Sequence, residues 1–228
     1  MEKEPAELDQ IRAAVLLASS VFPDIVKQIR AGTPERTIAA EIEYSCRRAG
    51  ADGMSFDTLV SSGRRSALPH GVASAAAIAE DGFVILDYGV ILGGYCSDMT
   101  RTVYVGHIDD RSRFIYHAVL EAQQAAIAVV RDGVAAGEVD AAARNVLARS
   151  RLAKYFTHST GHGLGLEIHE LPRVAKDQPE RLRSGMVVTI EPGVYIPDQG
   201  GVRIEDTVVV TTAGCEVLTP TSKELITI

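Results

Sequence analysis

Asp87 closes the apolar run FVIL (83–86), a costly place for a carboxylate that nothing neutralises. Asp98 lies on the next strand-like stretch. If the segment Gly89–Gly94 makes the turn, the two carboxylates face each other directly across a hairpin. Like charges so placed repel unless something positive sits between them. The competing account is that one Asp caps a turn and the other pairs with Arg101. The construction recurs further on. Glu191 follows the run MVVTI, Glu205 lies inside VRIEDTVVV, and Asp198-Gln199-Gly200-Gly201 supplies turn residues between them. Pro192 makes that strand irregular. Two acidic cross-strand pairs are hard to explain as solvated faces, and hard cations held by carboxylate oxygens explain them simply.

Histidines lie close by in sequence. The stretch YFTHSTGHGLGLEIHE (155–170) holds His158, His162 and His169, half of the six His in the chain. Gly161, Gly163 and Gly165 allow close backbone approach around His162. The pattern is not H-E-x-x-H, so a one-helix zinc site is excluded. His70 follows Pro69 in a loop-like stretch and is a further candidate, while His107 and His117 carry no assignment. Arg203 shares the parity of Glu205, and Tyr195 that of Glu191, so each should face its acid's side of the strand. Tyr195 fits a core position equally well. Thr100 stands beside Asp98 as a supporting group. Cys96 shares the parity of Asp98 and reads as small packing.

These residues need elements to position them. Leu8, Ile11, Val15, Ala18, Phe22, Ile25 and Ile29 recur at helical spacing and predict a helix ending near Gly32. Thr33 and Pro34 read as N-cap and first position of a second helix reaching about Gly50. Strand-like runs follow at 83–89 and 100–106, then helices at 111–131 and 138–152, then strands at 186–191, 193–196 and 202–210. The order helix, helix, strands therefore occurs twice. A short echo, IRAG at 29–32 and VRDG at 130–133, agrees with two half-domains sharing one core.

Composition sets the outer bounds. The 228 residues carry a formal charge of −7 and are 46% hydrophobic, which suits one folded domain over 1–228. The acidic balance argues against nucleic acid as a partner. The charged N-terminus lacks a signal-peptide core, and no apolar stretch is long enough for a membrane span. Three scattered Cys exclude a disulfide framework and suit a reducing, cytoplasmic setting.

Six strings, SALPHG (66–71), LDYG (86–89), SDMTRT (97–102), GHGLGLEIHE (161–170), TIEPG (189–193) and GGVRIEDT (200–207), resemble in order the motif set of the prolidase and aminopeptidase P group. That group belongs to the pita-bread metallopeptidases, with methionine aminopeptidase and creatinase. The resemblance implies an α/β fold of the α+β type. Its core is a pseudo-two-fold, curved antiparallel sheet covered by two helix pairs. It implies a catalytic unit without the N-terminal domain usual in proline-directed relatives; with that domain missing, the assembly is open between monomer and homodimer, and a homodimer is the expectation. The implied ligands of two divalent metal ions are Asp87, Asp98, His162, Glu191 and Glu205. Manganese is the implied metal, with cobalt, zinc or iron as alternatives. The implied reaction is cleavage of the Xaa-Pro bond at the N-terminus of dipeptides or short peptides with proline second. A hydroxide bridging two metals would be the nucleophile and Glu191 the general base. His70 and His169 would donate to substrate or oxyanion, and His158 would be an outer active-site histidine. A methionine aminopeptidase-like or broader aminopeptidase is the alternative. A metal-free binding module or creatinase-like enzyme is a remoter one.

Overall fold

A computed structural model describes residues 1–228. Helices α1 (Pro5–Val26) and α2 (Glu35–Arg48) come first. Strands β1 (Gly53–Met54), β2 (Leu59–Ser62), β3 (Gly82–Tyr88), β4 (Val90–Leu92), β5 (Tyr95–Cys96) and β6 (Met99–Val105) follow. The second half begins with α3 (Asp110–Val129) and α4 (Ala136–Arg149). Its strands are β7 (Gly161–Gly163), β8 (Glu170–Val174), β9 (Val187–Ile190), β10 (Gly193–Ile196), β11 (Gly200–Arg203), β12 (Asp206–Val210) and β13 (Cys215–Val217).

Pro5 at the first helical position and the Glu7 carboxylate, which accepts from Glu4 N–H at 2.8 Å, start α1. Its buried face is the predicted one: Ile11, Val15, Ala18, Phe22 and Ile25. The helix stops at Val26, before the predicted end, and Gly32 (φ +84°) closes the turn that follows. Pro34, expected inside α2, instead serves as its N-cap. An isolated bridge to Ala77 holds Pro34 extended, so the helix begins at Glu35.

The pseudo-two-fold repeat is visible in the backbone. Helices α2 and α4 each have 14 residues. Gly32 N–H donates to Ile78 O at 2.9 Å and Ile78 N–H to Thr33 O at 2.8 Å. Gly133 and Leu182 repeat this exchange, with Leu182 donating to Val134 O. The main sheets run β2-β3-β6 and β13-β12-β9-β7-β8. On β3, Val84, Leu86 and Tyr88 pack with α1 and α2 residues such as Phe22, Ile25 and Ile42. Each fully buried side chain of this kind contributes about 1.5–3 kcal/mol. Strand alternation then turns Asp87 to the opposite face. The second cluster joins α3 and α4 to Val188, Ile190 and Val208.

The hairpin register corrects one expectation. Asp87 pairs with Thr100, not with Asp98, and Leu86 with Arg101. The turn is not Gly89–Gly94. Ile91 pairs with Cys96 and Leu92 with Tyr95, so Gly93 and Gly94 alone form the loop. Both have positive φ (58° and 86°), as a tight two-residue hairpin turn requires. The shift is by two residues, so the parity of Asp98 is preserved. The second hairpin has the expected register. Val194 pairs with Val202 and Ile190 with Asp206, which sets Glu191 opposite Glu205 at the break between the two sheets.

Candidate active site

Ladder breaks supply the key positions. Asp87 is the last residue but one of β3, and Asp98 lies in the link between β5 and β6. Glu191 follows β9, Glu205 lies between β11 and β12, and His162 is the centre of β7. A Cβ at Gly161 would lie 1.9 Å from Thr189 O, so glycine is required for β7 to approach β9 this closely. The five side chains meet at one cavity of about 790 Å³. Ligand atoms of Asp98, His162 and Glu205 lie within 4.8 Å of one another. His162 Nε2 is 3.5 Å from Asp98 Oδ2 and 3.4 Å from Glu191 Oε1.

Three oxygens here, Asp87 Oδ1, Asp98 Oδ1 and Glu205 Oε1, are buried without a hydrogen-bond partner. Ionised carboxylates only accept, and leaving such atoms unpaired is expensive. Burial raises Asp98 to about 6 and Glu191 to about 7. Burial, with Asp98 and Glu191 as neighbours, carries Glu205 well above its ordinary value. Burial opposes the charge on His162, but its bond to Asp98 and the Glu191 charge outweigh this and raise it to about 9. Clustered carboxylate oxygens with one imidazole suit a divalent cation.

Arg203 braces the cluster from behind. Its Nη2 donates to Asp87 Oδ2 at 2.6 Å, its Nε to Thr100 Oγ1 at 3.1 Å and its Nη1 to Tyr195 Oη at 2.7 Å. Thr100 Oγ1 in turn donates to Glu205 Oε2 at 2.6 Å. Tyr195 Oη is 2.8 Å from His158 Nε2, so Tyr195 belongs to the bracing network rather than to the cavity wall. Burial, then the Arg203 charge, lowers His158 to about 4, so its ring is neutral near pH 7. His169 stacks edge-on against His162 with ring centroids 4.3 Å apart, and burial lowers its pKa. His70, on an exposed loop, lines the same cavity. Arg101 pairs with neither Asp87 nor Asp98. It binds Asp206 Oδ1 at 2.7 Å and the Thr221 and Ser222 carbonyls. Cys96 is buried packing beside Ile11 and Val15.

Sequence reading missed two features. Thr189 Oγ1 accepts from His162 N–H at 3.1 Å and donates to Glu191 Oε1 at 3.2 Å. Its parity with Glu191 could have flagged it. The apolar wall is Phe56, Val72 and Ile168 from separate loops with Leu171 from β8, and it carries no periodic signal.

The model of metallopeptidase family M24 matches residues 9–212. The chain belongs to metallopeptidase family M24. Within it, a Xaa-Pro dipeptidase of Pyrococcus horikoshii is 46% identical over 224 residues, 98% of this chain and 64% of that protein. The solved structure of a Xaa-Pro dipeptidase from Bacillus anthracis superposes with a TM-score of 0.97 at 46% identity, covering 100% of this chain and 64% of that one. That of an X-Pro aminopeptidase from Thermotoga maritima gives 0.97 at 38% identity, covering 100% and 65%. The chain thus spans under two thirds of the length of these M24 relatives. The likenesses bear out the motif resemblance and the pita-bread fold.

Proposed function

We propose that this chain is a metal-dependent exopeptidase that hydrolyses the N-terminal Xaa-Pro bond of dipeptides or short peptides. The observation that carries this reading is the set of three buried, partnerless carboxylate oxygens inside one acidic cluster. The names of its M24 relatives support the choice of substrate. The residues fit two divalent ions. Asp98 and Glu205 would be shared between them, Asp87 would complete one set, and His162 with Glu191 the other. Ions bound there supply Lewis-acid charge and make water acidic enough to act as a nucleophile near neutral pH. Manganese is the metal we assign, and three free cysteines suit a reducing cytoplasm.

The chain's own residues do the rest. Glu191 accepts a proton from the attacking water and delivers it to the leaving nitrogen. His70 and His169 line the cavity as donors for the scissile carbonyl and the oxyanion that replaces it. His158, neutral, fixes Tyr195 and through it Arg203. The Phe56, Val72 and Leu171 side chains offer an apolar wall suited to a proline ring.

Purified protein loaded with Mn should cleave a Xaa-Pro dipeptide or a Xaa-Pro-Xaa tripeptide faster than a Met-initiated peptide without proline. Preference for the last overturns the substrate assignment. Less than one tightly bound divalent ion per chain, with no activation by added Mn, overturns the metallopeptidase reading itself.

A further inference from the structure

Glu35 stands at the first turn of α2, outside the acidic cluster, and is 0% exposed. A carboxylate so buried requires donors, and it has them. It accepts from Ser62 N at 2.9 Å, Arg65 Nε at 3.0 Å, Ser74 N at 3.2 Å and Ser74 Oγ at 2.7 Å. Ser62 and Arg65 lie on one side of the 66–73 segment and Ser74 on the other. One carboxylate therefore closes the neck of a loop. Arg65 adds a second stitch, its Nη2 donating to Val72 O at 2.8 Å.

His70 lies at the far end of that loop. Its ring makes no hydrogen bond to the protein, and the residue is exposed. Its placement over the cavity therefore depends on the loop's backbone. On the inner side the loop is held by Arg203 Nη1, which donates to Pro69 O at 3.1 Å. On the outer side the Glu35 neck is the buried, charge-assisted attachment. The other half of the pseudo-repeat has the same device. Asp140 of α4, 1% exposed, binds Arg144 at 2.6 Å, and Arg144 donates to His158 O at 2.7 Å. In each half a buried acid on the second helix, with an arginine, holds a segment bearing a cavity histidine.

We infer that Glu35 is a positioning residue for His70, acting through the neck of the 62–74 loop. The inference rests on the peptidase reading for the role of His70, but not for the hold on the loop. Glu35→Gln keeps the shape, yet removes the charge and turns an amide N–H₂ toward the Ser62 or Ser74 backbone N–H and Arg65 Nε–H, which only donate. The test is a double-mutant cycle of Glu35→Gln and His70→Ala in Mn-loaded full-length chain. Alongside it, hydrogen exchange is followed at the 68–73 amides. Alone, Glu35→Gln should lower kcat/KM on a Xaa-Pro dipeptide by about 10-fold or more, with bound metal unchanged. In the His70→Ala background it should change kcat/KM by less than ~2-fold. The loop amides should exchange faster in Glu35→Gln than in the parent.

Equal losses in both backgrounds, or unchanged loop exchange, overturn the inference. Should Glu35→Gln fail to fold, Arg65→Gln cuts the Val72 stitch from a half-exposed position, and the same pattern is required of it. Should the parent protein cleave no Xaa-Pro peptide, the functional reading fails, and loop exchange alone decides whether Glu35 holds the loop.

Discussion

Arg203 Nη2 lies 2.6 Å from Asp87 Oδ2, and both side chains are almost wholly buried. The same guanidinium reaches Thr100, Tyr195 and the Pro69 carbonyl, so one side chain links the acid cluster to the His70 loop. Removing one partner of a buried pair costs about 3–5 kcal/mol because the other charge is stranded. Arg203→Met should weaken Mn binding by about 10–100-fold, the range for groups that orient ligands from behind. Arg203→Lys should recover only part, since an ammonium cannot span these acceptors. Mn titration against a competing chelator checks this. Parent-like affinity in Arg203→Met would show that Asp87 needs no brace.

Crowded carboxylates should strain the protein without metal, and bound cations should relieve that strain. Glu205→Gln removes one charge beside Asp98 and Glu191, where the Thr100 hydroxyl is its hydrogen-bond partner. In excess chelator the variant should melt at a higher temperature than the parent. Added Mn should raise the parent's Tm, by about 2.7 kcal/mol in stability at a hundred times Kd, and leave the variant's unchanged. Calorimetry with and without Mn reads both arms. A metal-free variant less stable than the metal-free parent would mean the charges are not in conflict.

His158 gives a pH signature. Its folded pKa of about 4 lies below the ordinary 6.5. Between these values the unfolded chain holds the extra proton, so this residue makes stability rise with pH across that window. Relative to His158→Gln, the parent should lose stability as pH falls from 6.5 toward 4. The two curves should run parallel above pH 7. Urea melts at half-unit pH steps test it, and parallel curves throughout would place a charged imidazole in the fold.

Thr189→Val keeps volume but deletes the hydroxyl that joins His162 N–H to Glu191 Oε1. A lost hydrogen bond of this kind is worth about 1 kcal/mol. A drop in kcat/KM of about 5-fold is expected, with a rise in the Mn concentration needed for half activation. Steady-state assays over a Mn series measure it. Unchanged half-activation would separate Thr189 from the cluster.

Much of this site was legible in the sequence because strand parity survives errors of register. Parity puts Asp87 and Asp98 on one face, although the register sets Asp87 opposite Thr100. The signal that fixes the register, two adjacent glycines able to form a two-residue turn, is Gly93-Gly94. The Glu191–Glu205 pairing was legible because the register runs unchanged through the sheet break at Pro192. The helix ends were less so. Pro34 is held extended by Ala77, a partner remote in sequence. The apolar wall and the Glu35 neck depend on loops that meet only in the folded chain, and no local spacing announces such meetings.

The pseudo-two-fold arrangement also governs where the chemistry can exist. Asp87 and Asp98 belong to the first half, while His162, Glu191 and Glu205 belong to the second. Neither half alone contains a full set of proposed ligands. Cations seated at this seam would act as fasteners between the halves, tying catalytic competence to their correct docking.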